Sequence, residues 1–253
     1  MNRTLAGACI CAGLLLCIFG PAPAQEEVGQ MADPGITIRW WGQACFCITG
    51  PGDVSVLNDP FPEGMGYDPP TCTPTVCTVS HEHRDHNAVE RLPQTTQIIR
   101  GVAGEHEAAG ITFTGVEVFH DAEQGAKRGA NVIYIWSMAG MRIAHFGDIG
   151  HLPTPEQLRQ IGTVDVAMVP VGGFYTIDGA QAVKLARQVS AKVIFPMHYK
   201  TAATEKLPIS GLEPFLAAVP DTWQVERAGG VSVQLGAADL PEQGARVIVL
   251  DYK

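Results

Sequence analysis

Residues 77–88 read CTVSHEHRDHNA, and within them His81, His83, Asp85 and His86 fall in the pattern H-x-H-x-D-H. Four metal-competent side chains follow directly on a short apolar run. Their spacing constrains the fold: His81 and His83, two apart at a strand end, can point the same way. Asp85 and His86 come where the backbone can turn. So short a segment cannot easily wrap all four around one ion, but it can serve two adjacent ions. A solvated polar turn would not need this density of His and Asp.

Matching ligands are expected at other strand ends. His120 closes GVEVFHD, Asp148 closes MRIAHFGD and His198 closes KVIFPMHY. Each ends an apolar run, so all three can meet at one sheet edge.

The rest of the chain supports a mixed α/β architecture with helices covering sheets. ITIRWWG, CFCITG and VSVLND are strand-like runs split by Gly and Pro. Residues 60–75, PFPEGMGYDPPTCTPT, contain five prolines and read as a loop long enough to overhang a site. NVIYIWSMAGMRIAHFGD reads as a hairpin turning at Ala139-Gly140. TPEQLRQIG carries a Thr-Pro helix entry and a Gly162 stop, and DGAQAVKLARQVS carries a helical stripe through Ala182, Val183, Ala186 and Val189. ISGLEPFLAAV reads as a third helix, and VSVQLG and RVIVLDY as closing strands. Met138, Met141, Met168 and Met197 are expected in the core.

The first 24 residues differ in kind. Arg3 precedes an apolar run from Leu5 to Gly20, and Ala22-Pro23-Ala24 precedes Gln25. This is the layout of a secretory signal peptide, and the run is shorter than the ~20 residues a membrane span needs. The expected organisation is a signal peptide over 1–24 and one domain over 25–253, exported to a periplasmic or extracellular space with no stable membrane anchor after cleavage. Residues 25–253 hold 16 Lys and Arg against 26 Asp and Glu, a balance of −10. That excess of acid argues against a nucleic-acid partner, because phosphate neutralisation needs a basic surface. Cys45, Cys47, Cys72 and Cys77 remain after cleavage. An oxidising compartment permits disulfides, and Cys72 with Cys77 would close a small loop around Pro74; buried free thiols are the alternative. Oligomeric state is not legible here.

Taken together, WWGQACFCI, LNDPF, VSHEHRDHN, VEVFHD, AHFGDIG, VPVGGFYT and FPMHYKT resemble, in this order, the metallo-β-lactamase superfamily. The resemblance covers most of residues 36–201 and points to the ascorbate-phosphate-lactonase-like branch of Zn-dependent hydrolases. It implies a four-layer αββα sandwich with metals at one edge of paired sheets. It implies that His81, His83 and His120 hold one metal and Asp85, His86 and His198 the other, with Asp148 bridging and Asp59 holding a ligand histidine in orientation. Two departures stand out. Gln43 occupies a position where many relatives carry histidine. Asn87-Ala88 follow the motif where the lactamase and glyoxalase branches place glycine, which weakens a β-lactamase reading.

His145 is expected beside the ligands or in the core, and His106 on the surface. His151, Tyr175 and Lys200 sit near ligand-bearing loops and are candidate substrate contacts. Histidine and carboxylate donors suit two divalent ions, zinc first, with manganese or iron also compatible. A metal pair lowers the pKa of water toward ~7 and stabilises developing oxyanions. The expected activity is a metal-dependent hydrolase in which a metal-activated hydroxide, oriented by Asp85, attacks a small lactone, ester or amide. The positive centre would also accept an anionic substrate group. A metal-dependent phosphodiesterase is the alternative enzyme, and a non-catalytic metal- or partner-binding module the alternative of another class.

Overall fold

Val79, Phe119, His145 and Met197 each end a strand at the same rim of the protein, and that shared rim follows from strand direction. The structure is a computed structural model that describes Met1 and residues 35–253. The signal-peptide reading of residues 1–24, and the domain boundary placed there, lie outside the described residues.

The first sheet is built from β1 (Ile36–Gly42), β2 (Cys45–Thr49), β3 (Ser55–Asn58), β4 (Val76–Val79) and β5 (Gln97–Arg100). The second takes β6 (Gly104–Ala108), β7 (Ile111–Phe119), β8 (Ala130–Met138), β9 (Met141–His145), β10 (Val166–Pro170), β11 (Val193–Met197) and β12 (Gln224–Arg227). The chain then returns through β13 (Ser232–Leu235) to the first sheet and ends with β14 (Arg246–Val249) in the second. The strand orders are β13-β1-β2-β3-β4-β5 and β12-β14-β11-β10-β9-β8-β7-β6.

β3 and β4 run parallel, as do β9, β10 and β11. β7 and β9 both run antiparallel to β8, so they point the same way. The residues that follow β7, β9 and β11 therefore share one rim of the second sheet, and those that follow β3 and β4 share one rim of the first. Across the join, Val132 N donates to Ser80 O at 2.9 Å, and His198 N donates to Gln43 O at 3.0 Å.

The core lies between the sheets. Trp40, Phe46, Ile48 and Val56 face it from the first, and Tyr134, Trp136, Phe146 and Phe195 from the second. Phe46 meets Phe195 edge-on at 6.1 Å between ring centroids. Each such ring, removed from water, contributes about 1.5–3 kcal/mol.

Three helices match the sequence signals. α1 (Pro155–Ile161) starts at Thr154, whose side chain and that of Gln157 cap each other, and stops at Gly162 with φ 67°. α2 (Gly179–Gln188) uses Asp178 and Gln181 the same way and buries Ala182, Val183, Leu185 and Ala186. α3 (Glu213–Ala218) packs on α2. α1 and α2 cover the second sheet, through β7 and β10. The outer face of the first sheet is roofed by the proline-rich loop instead: Phe61 and Tyr67 pack on Trp41, Cys45, Cys47 and Leu57. The sandwich is thus the expected one, with a loop forming much of one outer layer. The hairpin turns at Ala139 (φ 48°) and Gly140 (φ 70°), the left-handed pair of a two-residue hairpin loop.

All four cysteines in the described residues are free thiols. The small-loop disulfide between Cys72 and Cys77 is not formed: Cys77 sits fully buried in β4, while Cys72 lies against the cluster that holds Cys47. No helix among the described residues is long and apolar enough to cross a membrane.

Candidate metal centre

The seven predicted ligands converge. His81, His83 and His120 offer ligand atoms all within 4.8 Å of one another, and so do Asp85, His86 and His198. Asp148 Oδ2 connects the two groups: it lies 3.3 Å from His120 Nε2, 3.2 Å from His86 Nε2 and 3.1 Å from His198 Nε2. Asp85 Oδ2 approaches His86 Nε2 at 3.4 Å. Yet His86 Nε2 and Asp148 Oδ1 are buried with no hydrogen-bond partner. Unpaired donor and acceptor atoms in a dry site are costly. Here the close ring nitrogens and carboxylate oxygens have the chemistry and directions to surround cations rather than each other. The residues present therefore fit divalent metal ions.

Neighbouring groups orient the ligands. Asp59, fully buried, accepts from His86 Nδ1 at 2.8 Å, from Ser80 Oγ at 2.6 Å and from Ser80 N at 2.7 Å. This leaves His86 Nε2 facing Asp148 and Asp85, the orientation expected of a carboxylate-supported ligand histidine. Ser80 Oγ also meets His81 Nδ1 at 2.9 Å, directing His81 Nε2 toward His83 Nδ1 at 3.1 Å. His145 does not face the ligands. Its Nε2 donates to Ala44 O at 2.8 Å, its Nδ1 accepts from Gly147 N at 3.3 Å, and it buttresses Asp59 from 4.0 Å.

Charge and burial compete throughout. Burial opposes ionisation of Asp148, but His198 and His86 overcome it and hold the carboxyl well below its ordinary range. For His86, burial lowers the pKa while Asp148, Asp85 and Asp59 push it well above the usual imidazole value. Burial pushes His81 down to about 3.

Backbone geometry is unusual at the same places. Gln43, Asp59 and His198 have φ of 50°, 46° and 51°, in the left-handed region that non-glycine residues rarely occupy. Such strain costs of order 1–3 kcal/mol per residue and gathers at functional sites. Glycine is required at one further point. A Cβ on Gly147, at φ 52°, would lie 2.3 Å from Asn131 Oδ1 and 2.6 Å from Ser80 Cβ. Only a bare backbone brings Asp148 this close to the β4 turn.

The ligands open into a cavity of about 380 Å³ whose walls include Gln43, Met65, Tyr175 and Leu207 together with Arg84 and Arg128. Gln43 Nε2 donates to Asp85 Oδ2 at 2.8 Å, so the position marked as a departure steadies the Asp85 carboxylate. Tyr175 lines the cavity, its ring 6.5 Å from that of His198. Two predicted substrate contacts are placed elsewhere. His151 has both ring nitrogens on backbone, Nε2 accepting from Phe119 N at 3.1 Å and Nδ1 donating to Leu152 O at 2.8 Å. Lys200 does not line the cavity; its backbone N–H ties to Ser210 O, and its side chain is half-buried. The cations at the opening are Arg84 and Arg128, which sequence reasoning did not single out.

Asp121 was also missed, although it adjoins His120 in the quoted VEVFHD. Its carboxylate accepts from the backbone N–H of Glu123, Gly125, Lys127 and Arg128, at 2.8, 2.9, 2.9 and 2.8 Å. Partial desolvation opposes ionisation, but these donors hold its carboxyl at about 2.

Two mixed sheets bring histidines and aspartates to one edge in groups that could hold metal. Comparison with known proteins agrees. A profile of the β-lactamase superfamily domain matches residues 37–198. A UPF0173 metal-dependent hydrolase of Methanoculleus marisnigri is 27% identical over 225 residues, covering 79% of this chain and 96% of that relative. A solved structure described as a Zn-dependent hydrolase of the metallo-β-lactamase superfamily, from Thermotoga maritima, superposes with TM-score 0.69 at 33% identity, over 85% of this chain and 98% of that one. A metal-dependent hydrolase from Parabacteroides distasonis shares the fold at TM-score 0.59 and 19% identity, over 86% and 94% of the two chains. The chain belongs to the metallo-β-lactamase superfamily and is a metal-dependent hydrolase.

Proposed function

We propose that this hydrolase uses two divalent ions, zinc first, to cleave a small lactone, ester or amide. The observation that carries the proposal is Asp148 Oδ2, within 3.3 Å of one histidine from the first triplet and two from the second. His81, His83 and His120 would hold one ion, and Asp85, His86 and His198 the other, with Asp148 shared. Ions bound there supply Lewis acidity and acidify water at neutral pH.

The protein's own groups do the positioning. Gln43 donates to Asp85 Oδ2 and so holds the carboxylate that would orient the water. Asp59 and Ser80 fix the rings of His86 and His81, so little reorganisation is needed when charge develops. Tyr175, Met65 and Leu207 limit water around the reacting group and leave room for a small molecule. Export remains part of the proposal, supported by Arg3, the apolar run and Ala22-Pro23-Ala24.

The test is a panel of small lactones, esters, amides and phosphodiesters, assayed with metal-loaded and chelator-treated protein. Metal-dependent turnover of a carbonyl compound is expected. Turnover confined to phosphodiesters would replace the carbonyl substrate class with phosphoryl transfer, and none in any class would refute the proposal.

A further inference from the structure

Two guanidinium groups edge the cavity without being needed by the ligand set or the core. Arg84 sits between His83 and Asp85 in the motif. Its Nη2 donates only to the backbone Glu63 O, at 3.2 Å, while the Glu63 carboxylate is taken by Arg91 at 2.9 Å. Arg128 rides on the loop between His120 and β8 that Asp121 pins through four backbone N–H groups. The nearby Glu123 is paired with Lys127. Arg128 instead extends over Tyr175, its guanidinium 5.4 Å from the ring centroid. Among the described residues neither Arg84 nor Arg128 has a carboxylate partner, although the chain carries a formal net charge of −9.

Cations beside a site for divalent ions repel those ions, and here one backbone hydrogen bond and one aromatic contact are all they gain from the fold, with no carboxylate to offset the charge. They become favourable when the occupant of the cavity carries negative charge. A guanidinium is a planar fork that matches a planar carboxylate through two parallel hydrogen bonds. Met65, Leu207 and Tyr175 share the lining with Arg128, which is half-buried, while Arg84 is exposed, so a pair at Arg128 is the less screened by water.

We infer that Arg128, with Arg84, holds a carboxylate at the non-reacting end of the substrate, so that the enzyme is built for small esters or lactones bearing a negative charge. This rests on the hydrolase reading above and specifies the charge of its substrate. Arg128 and Arg84 are specificity groups, and Asp121 positions Arg128 through the backbone.

Calorimetric titration and a matched pair of esters test it. Glutarate and neutral glutaramide are titrated into metal-loaded wild type, Arg128→Gln, Arg84→Gln and the control Lys127→Gln, with metal content measured on each. The same proteins are assayed on 4-nitrophenyl hemiglutarate and 4-nitrophenyl acetate. Wild type should prefer glutarate. Each arginine substitution should weaken glutarate binding about tenfold, and lower the hemiglutarate-to-acetate ratio of kcat/KM by a similar factor, with metal retained. Lys127→Gln should keep both. Equal binding of glutarate and glutaramide by wild type, or arginine variants that bind glutarate as wild type does, would overturn the inference and leave the hydrolase intact. If neither ester is cleaved, the hydrolase reading is what suffers, and the glutarate titrations still decide the anion site.

Discussion

Asp59 Oδ2 accepts a hydrogen bond from His86 Nδ1 at 2.8 Å, and this contact fixes which nitrogen of His86 faces Asp148. Asp59→Asn keeps a residue tolerant of the left-handed backbone at φ 46° but loses the charge. It should weaken metal binding at the His86 side by about 10–100-fold. Competition with a chromophoric chelator reads this directly; unchanged affinity would mean that Asp59 supports the fold and not the ligand.

Metal binding should release protons. In the metal-free protein burial lowers His198 and His86, but Asp148 and its neighbours hold both above the ordinary imidazole value. A proton there must leave before the ring nitrogen can ligate. Affinity should therefore fall as pH drops through these raised values. Calorimetry at neutral pH in two buffers of different ionisation enthalpy should give different apparent heats, and equal heats would contradict the protonation scheme.

The same groups set how metal-free stability depends on pH. A histidine whose folded pKa is raised stabilises fully below the unfolded value near 6.5, and that contribution is lost as pH rises through the folded value. His81 runs the other way: burial pushes it to about 3, so its contribution is present above ~6.5 and lost as pH falls toward 3. Thermal unfolding of the metal-free protein should show decline on both sides of an optimum, with added metal restoring the alkaline side. A flat alkaline limb without metal would contradict the raised values.

Asp148→Ala and Lys200→Ala should differ sharply. Loss of the shared carboxylate should cut metal affinity and lower kcat by at least about a hundredfold. Lys200→Ala should keep KM and kcat within about twofold, because the side chain does not line the cavity. A tenfold rise in KM for Lys200→Ala would restore it as a substrate contact.

Gly147→Ala tests the close approach of the Asp148 loop to β4. The added methyl would meet Asn131 Oδ1 and Ser80 Cβ, and the residue would keep an unfavourable φ. The expected cost is about 1–3 kcal/mol in metal-free unfolding, accompanied by weaker metal binding because Asp148 must shift. Stability loss with normal metal binding would separate the glycine from the ligand geometry.

Much of this was legible in the sequence because the candidate metal-binding residues sit where apolar strands end, and helices start at capping pairs such as Thr154 with Gln157 and Asp178 with Gln181. The strands missed were β5, β6 and β12. All three lie at sheet edges, where GEHEA or QVER leave most side chains in water and no apolar alternation is needed. The cavity wall was hidden for another reason. Proximity in sequence suggested His151 and Lys200, but neither lines the cavity, which takes Gln43 and Arg128 from distant segments and Arg84 from within the motif itself. Nothing local in GAKRGA marks Arg128. Its placement depends on Asp121 gathering the loop's N–H groups.

Elemental analysis of protein saturated with zinc, and separately with manganese, tests the central claim most directly. Two ligand triplets joined by Asp148 predict a plateau at about two ions per chain, falling toward one in His198→Ala. A plateau at one ion per chain, reached equally by wild type and His198→Ala, would contradict the paired metal centre.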